Sequence, residues 1–184
     1  MLNRLLYEIY ITDIKYIMTA IPVLVLVWSV IGVVIYKKVR IASSVLIVLS
    51  AAIILYATVI KRTQENLGFD LIPFSSFQRA VEQPEMYRSM LMNVFLFVPL
   101  GMSLVFVFSG SALKRILLTV LVGFLLSVTV ETVQYLYSLG MTETDDVICN
   151  TFGALIGSMA FPLSLLWRGL LRKIRKGNSD GQGT

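Results

Sequence analysis

Glu131 stands inside an otherwise apolar run, Ile116 to Tyr137, where an ionisable side chain costs about 2.5–3.5 kcal/mol to place in a membrane. Gln134 lies one turn further along the same helix face, and Tyr135 completes a polar stripe. A second group opens the next apolar run: Asp145, Asp146 and Asn150, with Asp146 and Asn150 four apart and therefore on one face. Asn93 sits near the start of a third run, MLMNVFLFVPLG. What such groups can do is limited by what the chain lacks. It has no histidine, which removes the commonest metal ligand and any Ser-His-Asp triad. Its one cysteine, Cys149, cannot form an internal bridge. Carboxylate chemistry remains. Glu131, Asp145 and Asp146 are the catalytic candidates, as an acid and a base with separated pKa values. Glu131 and Asp146 are the candidate ligands for a hard cation, Mg²⁺ or Ca²⁺, held through oxygen.

The elements that position these groups follow from composition. The chain has 184 residues, 57% hydrophobic and 15% charged, with a mean hydropathy of +0.80. A soluble domain averages about 45–50% apolar and about 25% charged residues, so a soluble enzyme, a disordered tail and a secreted disulfide scaffold are all excluded. A bilayer core needs roughly 20 apolar residues of helix. Five runs meet that length: Tyr16 to Tyr36, Ile41 to Ile60, about Met90 to Ser109, Ile116 to Tyr137 and Val147 to Trp167. Open strands cannot satisfy their backbone in lipid. The expected fold is an all-α, polytopic bundle of five transmembrane helices. Residues 1–15 form an N-terminal lead-in and residues 16–167 the five-helix domain. Residues 168–184 are a basic tail whose glycine-rich end, GNSDGQGT, has the composition of a disordered segment.

The Lys and Arg residues set an orientation. Most fall after the first span (Lys37, Lys38, Arg40), after the third (Lys114, Arg115) and in the tail from Arg168 to Lys176. Every acid except Asp180 lies on the other side or in that half of a span. The N-terminus is accordingly expected outside and the C-terminus in the cytoplasm, with the basic face beside anionic lipid and no role in binding nucleic acid. In this arrangement Asn93, Glu131, Gln134, Asp145, Asp146 and Asn150 converge at similar depth near the outer surface.

Small residues mark the expected contacts between helices. Pro99 and Gly101 should kink the third span. Gly153 and Gly157, following Asn150 at helical spacing, should let a neighbouring helix approach closely. The long outer loop from Lys61 to Ser89 contains DLIPFSSFQRAVEQP, in which Phe74, Phe77 and Val81 suggest a short amphipathic or re-entrant helix. Arg79 and Arg88 are candidate partners for the outer carboxylates.

Four stretches in order resemble the VanZ-like family of bacterial membrane proteins. They are DLIPF (Asp70 to Phe74), NVFLFVPLG (Asn93 to Gly101), the E-x-x-Q of Glu131 to Gln134, and TETDDVICNTFGALIG (Thr142 to Gly157). The family-like core spans about 70–157. Many members carry an arginine shortly before the acidic run, where this chain has Gly140 and Met141; either Arg79 or Arg88 substitutes, or the ligand differs. The resemblance implies a setting, the outer face of a bacterial cell membrane, and a link to low-level resistance against the lipid-tailed glycopeptide teicoplanin.

Three functions are compatible with these residues. The first is a protein that binds or modifies an outer-leaflet lipid or lipid-linked cell-wall precursor. Its ligand would sit among Asn93, Glu131, Gln134, Asp146 and Asn150, with Arg79 or Arg88 on anionic groups. The second is a membrane-embedded hydrolase or transferase driven by carboxylates or a divalent metal. The third is a transporter or flippase component, which the apolar inner ends of the spans and the lack of paired repeats disfavour. A homo-oligomer is compatible with all three.

Overall fold

The computed structural model of the chain describes residues 2–61 and 68–180. Helix α1 spans Leu2–Val34 and α2 spans Val39–Leu55, which passes into a π-helical stretch, Tyr56–Ile60. A short α3 (Ser75–Ala80) precedes α4 (Pro84–Val107), α5 (Ala112–Tyr137), α6 (Thr144–Ser158) and α7 (Ala160–Asp180). Two strands of two residues, β1 (Phe69–Asp70) and β2 (Thr142–Glu143), pair in parallel, Phe69 against Thr142 and Asp70 against Glu143. Five segments are long and apolar enough to cross a membrane: Ile11–Val34, Val39–Ile60, Pro84–Val107, Ala112–Tyr137 and Thr144–Arg175. Each apolar run of the sequence is therefore a helix, the form in which a chain in lipid satisfies its own backbone.

The boundaries differ from expectation in physically explicable ways. The lead-in is not a separate element, because α1 is continuous from Leu2. The fifth span begins at Thr144 and breaks at Met159 into α6 and α7. Pro162 accounts for the break: it has no N–H for the Ser158 carbonyl, and its ring crowds that turn. Pro99, by contrast, does not interrupt α4; the Ser103 hydroxyl donates to its carbonyl at 2.8 Å. The basic segment beyond Arg168 is helical to Asp180, including part of the glycine-rich end. Residues 181–184 lie outside the described residues.

Helix α4 is the centre of the bundle. Over its most apolar stretch 61% of residues are buried, against 22% in both α1 and α2. One core cluster joins α1, α4 and α6–α7 through Ile21, Val25, Val94, Val98, Met102, Cys149 and Ala160. A second joins α2, α4 and α5 through Ile54, Phe97, Leu100, Leu104 and Val130. The α4–α6 contact is made backbone to backbone. A Cβ on Gly153 would strike the Val94 carbonyl, one on Gly157 the Val98 carbonyl, and one on Gly101 the Ala154 carbonyl. These three glycines allow the two helices to meet, which lets dispersion and polar contacts act over short distances.

At one end of the bundle arginines sit on backbone carbonyls at helix ends and in the α4–α5 connection. Arg40 donates to the Val107 carbonyl at 2.8 Å and the Ser109 hydroxyl at 2.8 Å. Arg115 donates to the Gly110 carbonyl at 3.0 Å, and Arg168 to the Gly32 carbonyl at 3.2 Å. The acidic residues of the 70s and 140s gather at the opposite end.

Candidate functional site

The acidic end is built by pulling two distant connections together. After β1, residues 71–74 turn back, and Phe74 adopts a left-handed conformation (φ 67°) that is uncommon for a residue with a side chain. Asp145, only 1% exposed, holds that turn. Its carboxylate accepts from the Phe74 amide at 2.6 Å and the Ser76 amide at 2.7 Å, meeting donors that the start of α3 leaves open. Glu143 accepts from the Ser76 hydroxyl at 2.7 Å. Asp70 accepts from the Ser75 hydroxyl at 2.7 Å, the Ile72 amide at 3.1 Å and Arg79 at 2.9 Å. The Ser75 hydroxyl first, then the Ile72 amide and Arg79, hold the Asp70 carboxyl below its usual range. Arg79 also lies 3.7 Å from Glu143.

Below this layer, polar side chains link the helices in pairs. The Asn93 amide donates to Asp146 at 2.6 Å, joining α4 to α6. The Asn150 amide donates to the Ser127 hydroxyl at 2.8 Å, joining α6 to α5. The Gln134 amide donates to the Thr58 carbonyl at 2.8 Å. Thr58 lies in the π-helical stretch, where the altered backbone bonding makes a carbonyl available to a side chain. Glu131, 5% exposed, accepts from the Glu143 amide at 3.2 Å. The carboxyl oxygen of this residue thus reaches from α5 to the strand that leads into α6.

A cavity of about 400 Å³ lies beside Glu131. Val128, Glu131, Thr132 and Tyr135 supply its α5 wall, and Thr144 and Val147 its α6 wall. Phe69, Leu71, Thr142 and Glu143 close it from the strand side. The rings of Phe69 and Tyr135 meet edge to face with centroids 6.3 Å apart. Val128, Thr132, Tyr135, Phe69 and Leu71 are exposed and form the mouth. The Thr142 hydroxyl is buried and has no hydrogen-bond partner among the described residues.

Of the residues singled out by sequence as a polar stripe or candidate site, Glu131 and Tyr135 line this cavity. Asn93 with Asp146, Asn150 and Gln134 stand at the same end but are engaged in separate links between helices. Asp145, a catalytic candidate by sequence, is a buried anchor for the α3 turn. Both arginines pair with acids of the expected outer set: Arg79 joins the acidic layer through Asp70, and Arg88 pairs with Asp13 of α1 at 2.8 Å, apart from that layer. Among the described residues no three acidic or cysteine side chains are grouped as metal ligands. Sequence reasoning missed Glu143, Thr142 and Phe69 as cavity residues. Val128 and Thr132 carried a usable signal, since they fall within one turn of Glu131 on α5, as Tyr135 of the polar stripe does.

Comparison with known proteins gives two findings. The family model described as VanZ/LLP1 matches residues 43–167. Protein VanZ of Enterococcus faecium is 36% identical over 78 residues, which are 42% of this chain and 47% of that one; the chain thus matches about half the length of this curated relative. No solved structure matches.

Proposed function

Because the chain belongs to the VanZ/LLP1 family, we propose that it acts at the outer face of the bacterial cell membrane on a lipid or lipid-linked cell-wall precursor. It binds or modifies that molecule and so contributes to glycopeptide resistance of the teicoplanin type. The observation that carries this reading is the cavity beside Glu131. A carboxylate is costly at this depth in a span, and here it borders a space of about 400 Å³ between two helices. Its walls are mostly apolar with a few polar groups, the usual make-up of a small-molecule site.

The lateral mouth between α5 and α6 suits a ligand that arrives through the bilayer. The orientation rests on Lys and Arg, which cluster at the end opposite the cavity and belong in the cytoplasm. This charge bias supports a position for the cavity in the outer leaflet, where lipid-linked wall precursors are used.

The test is teicoplanin susceptibility in cells carrying the wild-type chain or Glu131→Gln at matched membrane levels, together with retention of lipid-linked precursor by the purified proteins. Glu131→Gln is expected to lose both resistance and retention. Equal performance by the two proteins overturns the reading.

A further inference from the structure

We propose that the cavity beside Glu131 selects an amphiphile with a positively charged, primary-ammonium head, and that a furrow between α5 and α6 receives its acyl chain. This deepens the reading given under Proposed function and rests on it. The charge of the lining is the first argument. Glu131 and Glu143 both line the cavity, and among the described residues no Lys or Arg does. Arg79, held by Asp70 at 2.9 Å and 3.7 Å from Glu143, and Arg88, held by Asp13 at 2.8 Å, are both engaged outside the cavity lining, which leaves Glu131 as its main anionic group. The other lining groups point to the same ligand class. Phe69 and Tyr135 bring two exposed aromatic rings to the mouth, and an ammonium is attracted to aromatic faces. The unpartnered Thr142 hydroxyl supplies an acceptor for one of three ammonium protons.

The tail argument comes from continuity. A second cavity, of about 300 Å³, shares Val147 with the first and runs deeper between Val120 and Phe124 of α5 and Thr151 and Leu155 of α6. From Tyr135 to Val120 the furrow follows α5 for about 22 Å at roughly 1.5 Å per residue. That exceeds half of the roughly 30 Å hydrocarbon thickness of a bilayer, enough for one leaflet-length chain. A head held at the acidic end would therefore lay its tail along the bundle surface in register with neighbouring lipid.

The experiment uses the full chain in neutral detergent and native mass spectrometry with dodecylammonium, dodecanol and dodecyl phosphate, which differ only in the head. Dodecylammonium is expected to be retained about tenfold more strongly than either of the others. Glu131→Gln should erase that preference. Thr132→Lys, a change at the exposed mouth that leaves the buried carboxylates in place, should reverse it in favour of dodecyl phosphate. Val120→Trp, which fills the furrow, should weaken all three probes without changing their order. Stronger binding of dodecyl phosphate to the wild-type chain overturns the cationic-head assignment. If that binding still falls with Val120→Trp, the broader lipid-binding reading survives. Retention of all three probes that ignores Glu131→Gln, Thr132→Lys and Val120→Trp alike, or retention of none, overturns both.

Discussion

The two ends of this bundle solve one problem with opposite charges. Helix C-termini expose carbonyls and carry partial negative charge, whereas N-termini expose amides and carry partial positive charge. At the basic end, Arg40 and Arg168 bind the carbonyls of Val107 and Gly32, and Arg115 and Arg168 also lie over the rings of Phe161 and Tyr36 at 4.4 and 4.5 Å. At the acidic end, Asp145 binds the amides of Phe74 and Ser76. The difference lies in what is left over. The guanidinium groups bind carbonyls of helix ends already fixed by the bundle. The carboxylates hold together two loops that would otherwise be separate, and Glu131 and Glu143 still border an open volume. An end that closes helices is structural; an end that folds loops around a space can receive a ligand.

The most drastic way to break this contrast is to separate α6 from α4. Gly153→Val puts side-chain atoms where the Val94 carbonyl already stands. Overpacking of this kind costs about 1–3 kcal/mol and more when backbone must move. The acidic end should lose its α6 wall while Arg40 still binds Val107. Cys149, 4% exposed on α6, reports the change: labelling by a membrane-permeant maleimide should rise from near zero to most of the protein. Unchanged labelling would mean that the bundle absorbs the side chain.

A narrower cut spares the helices. Asp145→Ala removes the acceptor for two amides at the start of α3, and unmet buried donors cost about 1–3 kcal/mol. Residues 71–83 should become sensitive to limited proteolysis while Cys149 stays protected. Equal rise of both signals would show that the loop and α6 unfold as one unit.

Acid offers the smallest and most selective test. The Asp70 carboxyl titrates below its ordinary value of 3.8, so the folded turn binds fewer protons than the unfolded one. Its contribution is fully present above that ordinary value and is lost as pH falls through the lowered one. Protection of the Ile72 amide, which donates to Asp70, measured as its exchange rate relative to the unfolded chain at the same pH, should hold steady from neutral pH down to about 4 and fall below it. The arginine contacts at the basic end, which involve no carboxylate, should show no such change.

How much of this could be read from the chain depends on how local the cause is. The five spans were legible because hydrophobic length alone decides them. The glycines of α6 were legible as well, since small residues at helical spacing have few other uses. Glu131 announced itself by its cost in lipid. The break at Met159 had a local cause in Pro162 that a length count passes over. The π-helical stretch at Tyr56–Ile60 has no marker in YATVI; it matters through a carbonyl that Gln134, far along the chain, comes to meet. The cavity was the least legible part. Phe69 and Thr142 enter it through strands of two residues, too short to leave an alternating pattern, and Asp145 finds its amides across some seventy positions of chain.

The interruption at Met159 has one more effect. Because α6 and α7 are separate rods, the first can stay wedged between α4 and α5 while the second crosses to α1, where Trp167 donates to Ser29 at 3.0 Å and Arg168 reaches Gly32. Helix α1 precedes the region shared with the family, which starts at residue 43. A single proline thus divides the fifth crossing into one segment that walls the cavity beside Glu131 and another that clasps the helix ahead of the shared region.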